Sequence, residues 1–463
     1  MLIYITKNVE NLNETSKKIS LSGHYNYRRI LRTMYPMVLM MLVTSIYSIV
    51  DGFFIAHYVN TDAFAGTNII WPLLGAVGAI GIMTGTGGSA LVSKTLGEGN
   101  KEKAQRIFSI IIQFTFVVGI IFVAIFFIFM PQIAIWLGAD EKLLPPAVLY
   151  GRIWVVGLPF YMLTMAFNPF FMVTERPGLG TKVTIVCGVT NIFLDALFII
   201  PFGWDIAGAA IASVIAMIIG GAFPIYYFIR KRTNTNIRLQ PTGKWNSKDI
   251  QDIKQSCTNG VSELVGSIAH NLVCICYNIQ LMRYIGSDGV VAYGLLMYLS
   301  FLFASVFLGY NMGIAQVISY NYGAKNHLEL TSLLKKSYTL IGICGVLLYG
   351  LSIISIPFIA TAFVGDDKNL HELCVNASRI YMLCFLINGY NYFASAWFTA
   401  LNNGKISAIV AMVRTLVLEL GCVFLLPLIL GIKGVWMSVV VAELLAFFLS
   451  KAFIQGFRKK YGY

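Results

Sequence analysis

The sequence predicts an all-α integral membrane protein whose twelve transmembrane helices form two pseudo-symmetric six-helix bundles. Three observations carry that prediction. Only 12% of the 463 residues are charged and 57% are hydrophobic, with a mean hydropathy of +0.73, whereas a soluble domain is about a quarter charged. Apolar runs near or above the roughly 20 residues needed to cross a bilayer as a helix recur twelve times. The second half of the chain also repeats the first at one fixed offset.

The spans read in order as 35–58, 66–92, 107–130, 147–171, 181–201, 206–229, 257–284, 290–317, 334–360, 372–401, 406–430 and 433–456. Span 3 contains no charged residue. Residues 1–34 form a polar amino-terminal segment with no cleavable leader pattern. Residues 35–229 make the first lobe, 230–256 a polar connector, 257–456 the second lobe and 457–463 a basic tail. An even number of spans places both termini on one side. Arg28, Arg29 and Arg32, then Arg230, Lys231 and Arg232, then Lys451, Arg458, Lys459 and Lys460 all fall there. The opposite loops hold few bases and several acids, among them Asp62, Asp140, Asp205 and Asp366. By the positive-inside bias, both termini are expected in the cytoplasm of a bacterial-type plasma membrane.

The net charge of +13 therefore reads as topology and contact with anionic membrane lipid, not as nucleic-acid binding. Eight cysteines form no CxxC pair and no Cys/His cluster, so they read as small hydrophobes in packed helices. A Walker A loop, an HExxH helix and a Ser/His/Asp arrangement are all missing from the sequence. The chain is expected to be no enzyme and to need no cofactor, so active transport by it would draw on an ion gradient.

The internal repeat appears without gaps at an offset of 226 residues. YVNTDAFA (58–65) faces YIGSDGVV (284–291), and VSKTLGEGN (92–100) faces ISYNYGAKN (318–326). Gly178 faces Gly404, Pro201 faces Pro427, and Gly208 faces Gly434. Six spans per half give parallel halves, a geometry that places binding sites within or between two bundles near the midplane. Residues that recur serve turns and packing. Those that break the repeat inside a span are the functional candidates.

Asp51 faces Tyr277, Asn191 faces Val417, and Asp195 faces Gly421, so these polar groups belong to the first half alone. Glu263, Glu419 and Glu443 are the corresponding breaks in the second half. An acid at membrane depth costs about 2.5–3.5 kcal/mol on insertion scales, and function is the first candidate to offset it. Asn191 and Asp195 lie four residues apart on one helix face, extended by Thr184 and Gly188. With Asp51 and a hydroxyl such as Ser213 they would suit H⁺ or Na⁺. Two close carboxylates in a low-dielectric site resist joint ionisation, so one can load and release a proton. The alternative is a structural acid satisfied by a neighbouring amide or hydroxyl, since no Lys or Arg lies deep in spans 1 to 6. For Glu263 two readings stand, an ion pair with Arg414 or an attraction for a cationic substrate. Pro36 either caps the first turn of span 1 or kinks it. His57 and His270 read as packing residues. The glycines of span 2 (Gly75, Gly78, Gly81, Gly85, Gly87 and Gly88) read as a close-packing surface.

Several stretches together resemble the MATE (multidrug and toxic compound extrusion) exporters of the MOP flippase superfamily. They are MYPMVLMMLVTSIYSIVDGFFIAHYV (34–59), LVSKTLGEGNKEKA (91–104), NIFLDALFIIPFGWDIAGAAIA (191–212), GIAQVISYNYGAKN (313–326) and LPLILGIKGVWMSVVVAE (426–443). The resemblance runs over the whole chain after residue 30. It implies a V of two lobes and an antiporter, acting as a monomer, that expels lipophilic or cationic drugs in exchange for H⁺ or Na⁺. It also implies a cation-coupling site at Asp51, Asn191, Asp195 and Ser213, where Ser213 stands in for a threonine-like position. Tyr150 and Asn168 then join the polar network, and Pro36 is a bending point. Relatives with a second-lobe site use acids of spans 7 and 10; span 10 here has Asn388 and Asn391 but only Glu372 at its edge. The competing expectation within the superfamily is a flippase of a lipid-linked saccharide, with Arg414 and Arg379 as the bases to hold pyrophosphate.

Overall fold

The computed structural model describes residues 19–59, 61–230, 236–364 and 367–463. The side chains of 48, 51–57, 61–65 and 362–364 lie outside the described set, which covers Asp51, His57 and Asp62. Fifteen α-helices follow in order. The first lobe holds α1 (Tyr27–Tyr58), α2 (Thr61–Gly97), α3 (Lys101–Trp136), α4 (Leu144–Val156), α5 (Leu158–Val173), α6 (Pro177–Ile199) and α7 (Asp205–Ile229). The second holds α8 (Ser247–Tyr284), α9 (Ser287–Gly323), α10 (His327–Val364), α11 (Lys368–Tyr381), α12 (Asn388–Ala400), α13 (Gly404–Met412), α14 (Leu420–Leu430) and α15 (Ile432–Tyr461). Among the described residues eleven helical spans are long and apolar enough to cross a membrane, and α4 with α5 forms a twelfth, bent by 57°.

Three spans that the sequence leaves continuous are interrupted. Span 4 breaks at Gly157, two residues before Pro159, which has no N–H to donate and whose ring crowds the preceding turn. Span 10 passes through a 3-10 turn at Met382–Leu386, and span 11 through a π-helical turn at Val413–Glu419. The helices also extend beyond their apolar cores. The one carrying span 7 starts at Ser247, behind a capping box in which Asn246 and Asp249 exchange side-chain and backbone hydrogen bonds.

The repeat is visible in the backbone itself. Gly99 has a positive φ of 82°, and its counterpart Lys325 takes 56° despite carrying a side chain. Asp205 and its counterpart Gly431 do the same, at 45° and 57°. A non-glycine residue in that region costs about 1–2 kcal/mol, so the shared turn geometry outweighs the local preference at Lys325 and Asp205.

The lobes meet where α1 packs on α9 and α2 packs on both α8 and α9. Glycine is required at these crossings. A Cβ on Gly97 would stand 2.0 Å from the Tyr320 carbonyl oxygen, and one on Gly323 the same distance from the Lys94 carbonyl oxygen. These two contacts exchange under the repeat, so the crossing is pseudo-twofold. Nearly three turns back along α2, Gly260 abuts the Met83 carbonyl and Gly87 abuts Ser256 and Gly260. Of the span 2 glycines, Gly78, Gly81 and Gly85 instead seat α2 on α5 of its own lobe, against Tyr161, Met162 and Ala166. Packing is therefore what most of that glycine run provides.

Polar contacts seal the same end. Gln316 accepts from Ser93 (3.0 Å) and donates to Ser89 (2.9 Å), all three buried between the lobes. Arg106 of α3 grips Asp249 of α8 with two charge-assisted bonds of 2.7 and 2.6 Å. The segment before α1 crosses the seam as a strap: the Leu21 amide donates to Glu175 (3.1 Å) and the Tyr25 amide to Glu329 (2.8 Å). At the same end, within the second lobe, the Tyr461 carbonyl meets the His327 ring at 3.1 Å and the Tyr461 hydroxyl meets Asn403 at 2.8 Å. Replacing Gly260 by Leu is expected to force α2 and α8 apart at a cost of at least about 1–3 kcal/mol. Spin-label distances between positions 102 and 328 should then lengthen relative to the parent; an unchanged distance distribution would contradict the crossing described here.

Candidate ion and substrate site

Helix α6 presents the repeat-breaking polar groups to the interior of the first lobe. Asp195 is completely buried and Asn191, one turn earlier, is 2% exposed. The Asn191 side-chain amide donates to Ser213 Oγ of α7 at 3.4 Å, so the amide and hydroxyl that the sequence grouped are brought together. Gly188 lets α1 lie close on the same helix, because a Cβ there would meet the Tyr47 side chain at 3.3 Å. Tyr150 of α4 is buried and engaged, and Asn168 of α5 is buried with no hydrogen bond to a described residue. Asp51 sits in the continuous helix α1, which packs along α6; its side chain is outside the described set.

Pro36 does not cap a first turn. α1 begins at Tyr27, so the proline is interior and leaves its helix short of one donor. Its carbonyl is held across the lobe by Thr181 Oγ1 of α6 at 2.6 Å. Sequence reasoning passed over Thr181, although it continues the stripe of Thr184, Gly188 and Asn191 by one turn. Its repeat counterpart Ser407 bonds instead to the Ser395 carbonyl at 2.8 Å. The α1–α6 bond at the proline is thus a feature of the first lobe alone.

Of the two readings for Glu263, the ion pair with Arg414 is not formed; the Arg414 Nε and Nη2 instead reach Glu443 Oε1 at 2.9 and 2.6 Å. Glu443 Oε2 accepts from Asn391 (2.6 Å), whose own oxygen accepts from Ser450 (3.0 Å), and the guanidinium lies 4.0 Å from the Tyr392 ring centroid. Arg414 stands at the start of the π-helical turn and reaches α15, not α8. This is a closed structural network. Glu263, half-buried one turn beyond Gly260, has no hydrogen-bond or ion-pair partner among the described residues. No group of three or more potential metal ligands occurs among the described residues.

Two repeated helical lobes closed together at one end are the architecture of a membrane transporter. The MatE family model matches the chain twice, at residues 36–197 and 264–425. The chain is 23% identical over 426 residues to the multidrug export protein MepA of Staphylococcus haemolyticus, with 92% of each chain covered. It is 23% identical over 410 residues to MepA of Staphylococcus aureus strain MSSA476, covering 88% of this chain and 89% of that one. In fold it resembles a multidrug resistance MATE family transporter in an outward-facing conformation, with a TM-score of 0.88 at 20% identity over 96% of this chain and 99% of that one. A MOP superfamily transporter from Pyrococcus furiosus, for which a binding pocket of reversed polarity is described, gives 0.89 at 19% identity, over 97% and 99%. The chain belongs to the MatE family.

Removing one partner of the Arg414–Glu443 pair strands a buried charge, which costs about 3–5 kcal/mol. Arg414→Met should lower the thermal unfolding midpoint in detergent markedly, and adding Glu443→Met should restore most of it. Equal midpoints for the parent and Arg414→Met would show that the pair carries no such load.

Proposed function

We propose that this chain is a multidrug efflux antiporter that exports lipophilic or cationic compounds in exchange for H⁺ or Na⁺. The observation that carries the reading is the fully buried Asp195 one turn from Asn191, which reaches Ser213 on the neighbouring helix. None of the three has a polar counterpart at its repeat position (Gly421, Val417 and Val439). A site present in one lobe of a repeated scaffold serves something other than the scaffold. The multidrug export relatives, matched over about nine-tenths of their length, support the substrate class.

In this mechanism a cation entering from outside neutralises the carboxylates of Asp51 and Asp195, with Asn191 and Ser213 supplying neutral ligands. Tyr150 and Asn168 complete the polar lining. Neutralisation weakens the hold on a cationic substrate, and α1 shifts about Pro36. The Thr181–Pro36 bond ties that motion to the helix carrying Asn191 and Asp195. Coupling requires the two states to differ in contacts that depend on the bound cation. Glu263, beside the inter-lobe seam, draws cationic substrate towards the cleft. With both termini in the cytoplasm of a bacterial-type plasma membrane, the closed seam faces inward and the cleft outward.

The flippase reading has less support. Arg414, its main candidate for holding pyrophosphate, is committed to Glu443.

Reconstituted in proteoliposomes, the parent should exchange ethidium for H⁺ or Na⁺ under an imposed gradient of one of them. Asp195→Asn should reduce this exchange to the level of empty vesicles under either gradient. Undiminished exchange by Asp195→Asn would overturn the site assignment, and no ethidium movement by the parent would overturn the substrate class.

A further inference from the structure

The flank of the first lobe carries a groove of about 730 Å³ between α3, α4 and α7. Phe127, Leu149, Val156, Ile211 and Val214 are among its walls, and Arg152 is its one charged lining residue. Phe127, Leu149 and Val156 are 46%, 47% and 50% exposed, so no described helix of this chain covers this apolar face of a membrane-spanning lobe. The sequence reading, which saw no base deep in spans 1 to 6, gave Arg152 no role. It stands eight residues beyond the start of α4, about 12 Å along the axis at 1.5 Å per residue.

A guanidinium at that depth is costly unless its donors are satisfied. Arg106 and Arg414 each meet a carboxylate. Arg152 does not. Its Nε donates to the Phe127 carbonyl at 3.3 Å, and the group stands 5.6 Å from the Phe127 ring centroid. Its two terminal amino groups donate to no described residue. Helical side chains tilt toward the helix N-terminus, and in the topology of the proposed function the N-terminus of α4 lies at the outer membrane surface. The guanidinium is therefore directed from an apolar groove toward the level of lipid phosphates, which it can hold through two parallel bonds.

We propose that this groove binds a glycerophospholipid, with an acyl chain along α4 and α7 and the phosphate on Arg152. The site shares its helices with the polar site inside the lobe. Leu149 and Arg152 flank Tyr150 in sequence, and Ile211 and Val214 flank Ser213, so a seated chain supports the outer side of the helices that carry those groups.

Native mass spectrometry of the purified full-length protein, titrated with phosphatidylglycerol, tests this. The parent should retain one lipid, with its affinity lowered about tenfold or more in Arg152→Ala by loss of a charged hydrogen bond. Diacylglycerol, which lacks the phosphate, should bind both forms equally and weakly. Val214→Trp, which fills the groove and keeps Arg152, should also lose the lipid. Parent-like phosphatidylglycerol binding by both variants, or binding of diacylglycerol by the parent as tight as that of the phospholipid, would overturn the proposal.

Discussion

The two lobes are held by helix crossings so close that no side chain fits between them. Gly97 against the Tyr320 carbonyl and Gly323 against the Lys94 carbonyl form a symmetric pair, and Gly87 and Gly260 repeat the contact further in. In a bilayer, apolar surface gains little from meeting apolar surface, so association depends on close packing and interhelical hydrogen bonds. The glycines supply the first, and Gln316 with Ser89 and Ser93 supplies the second. Because the seam is narrow and lies at one end, each lobe can keep its own interior.

Those interiors are built on one plan and used differently. In the second lobe the buried acid Glu443 is matched by Arg414 and Asn391, which makes it part of the framework. In the first lobe Asp195 is buried one helical turn from Asn191, whose amide reaches Ser213. The same contrast holds for the hydroxyl pair Thr181 and Ser407. Thr181 ties α6 to the proline of α1, while Ser407 bonds within its own neighbourhood. The repeat gives the scaffold, and departures from it mark where the lobes were specialised.

Much of this was legible in the chain. Span number, the repeat and the grouping of Asn191 with Asp195 follow from apolar run length, a fixed offset and helical periodicity, all of which are local or additive properties, whereas Ser213 was placed with them by the family resemblance. The Arg414–Glu443 pairing was missed because run length and periodicity do not say which of the other helices an arginine faces. The break at Gly157 was missed because Gly and Pro are tolerated inside transmembrane helices. Thr181 was missed because a hydroxyl that bonds a carbonyl on another helix looks the same in sequence as one that bonds its own turn.

Composition and spacing alone were thus enough for a twelve-span membrane protein of two parallel halves, with its unmatched acids identified. They could not say which acid is neutralised, which proline carbonyl is held, or which guanidinium is left facing an apolar groove. Those outcomes depend on distances between helices far apart in sequence. A carboxylate four residues from an amide is a pattern, whereas a carboxylate 2.6 Å from a guanidinium 29 residues away is a fact of packing.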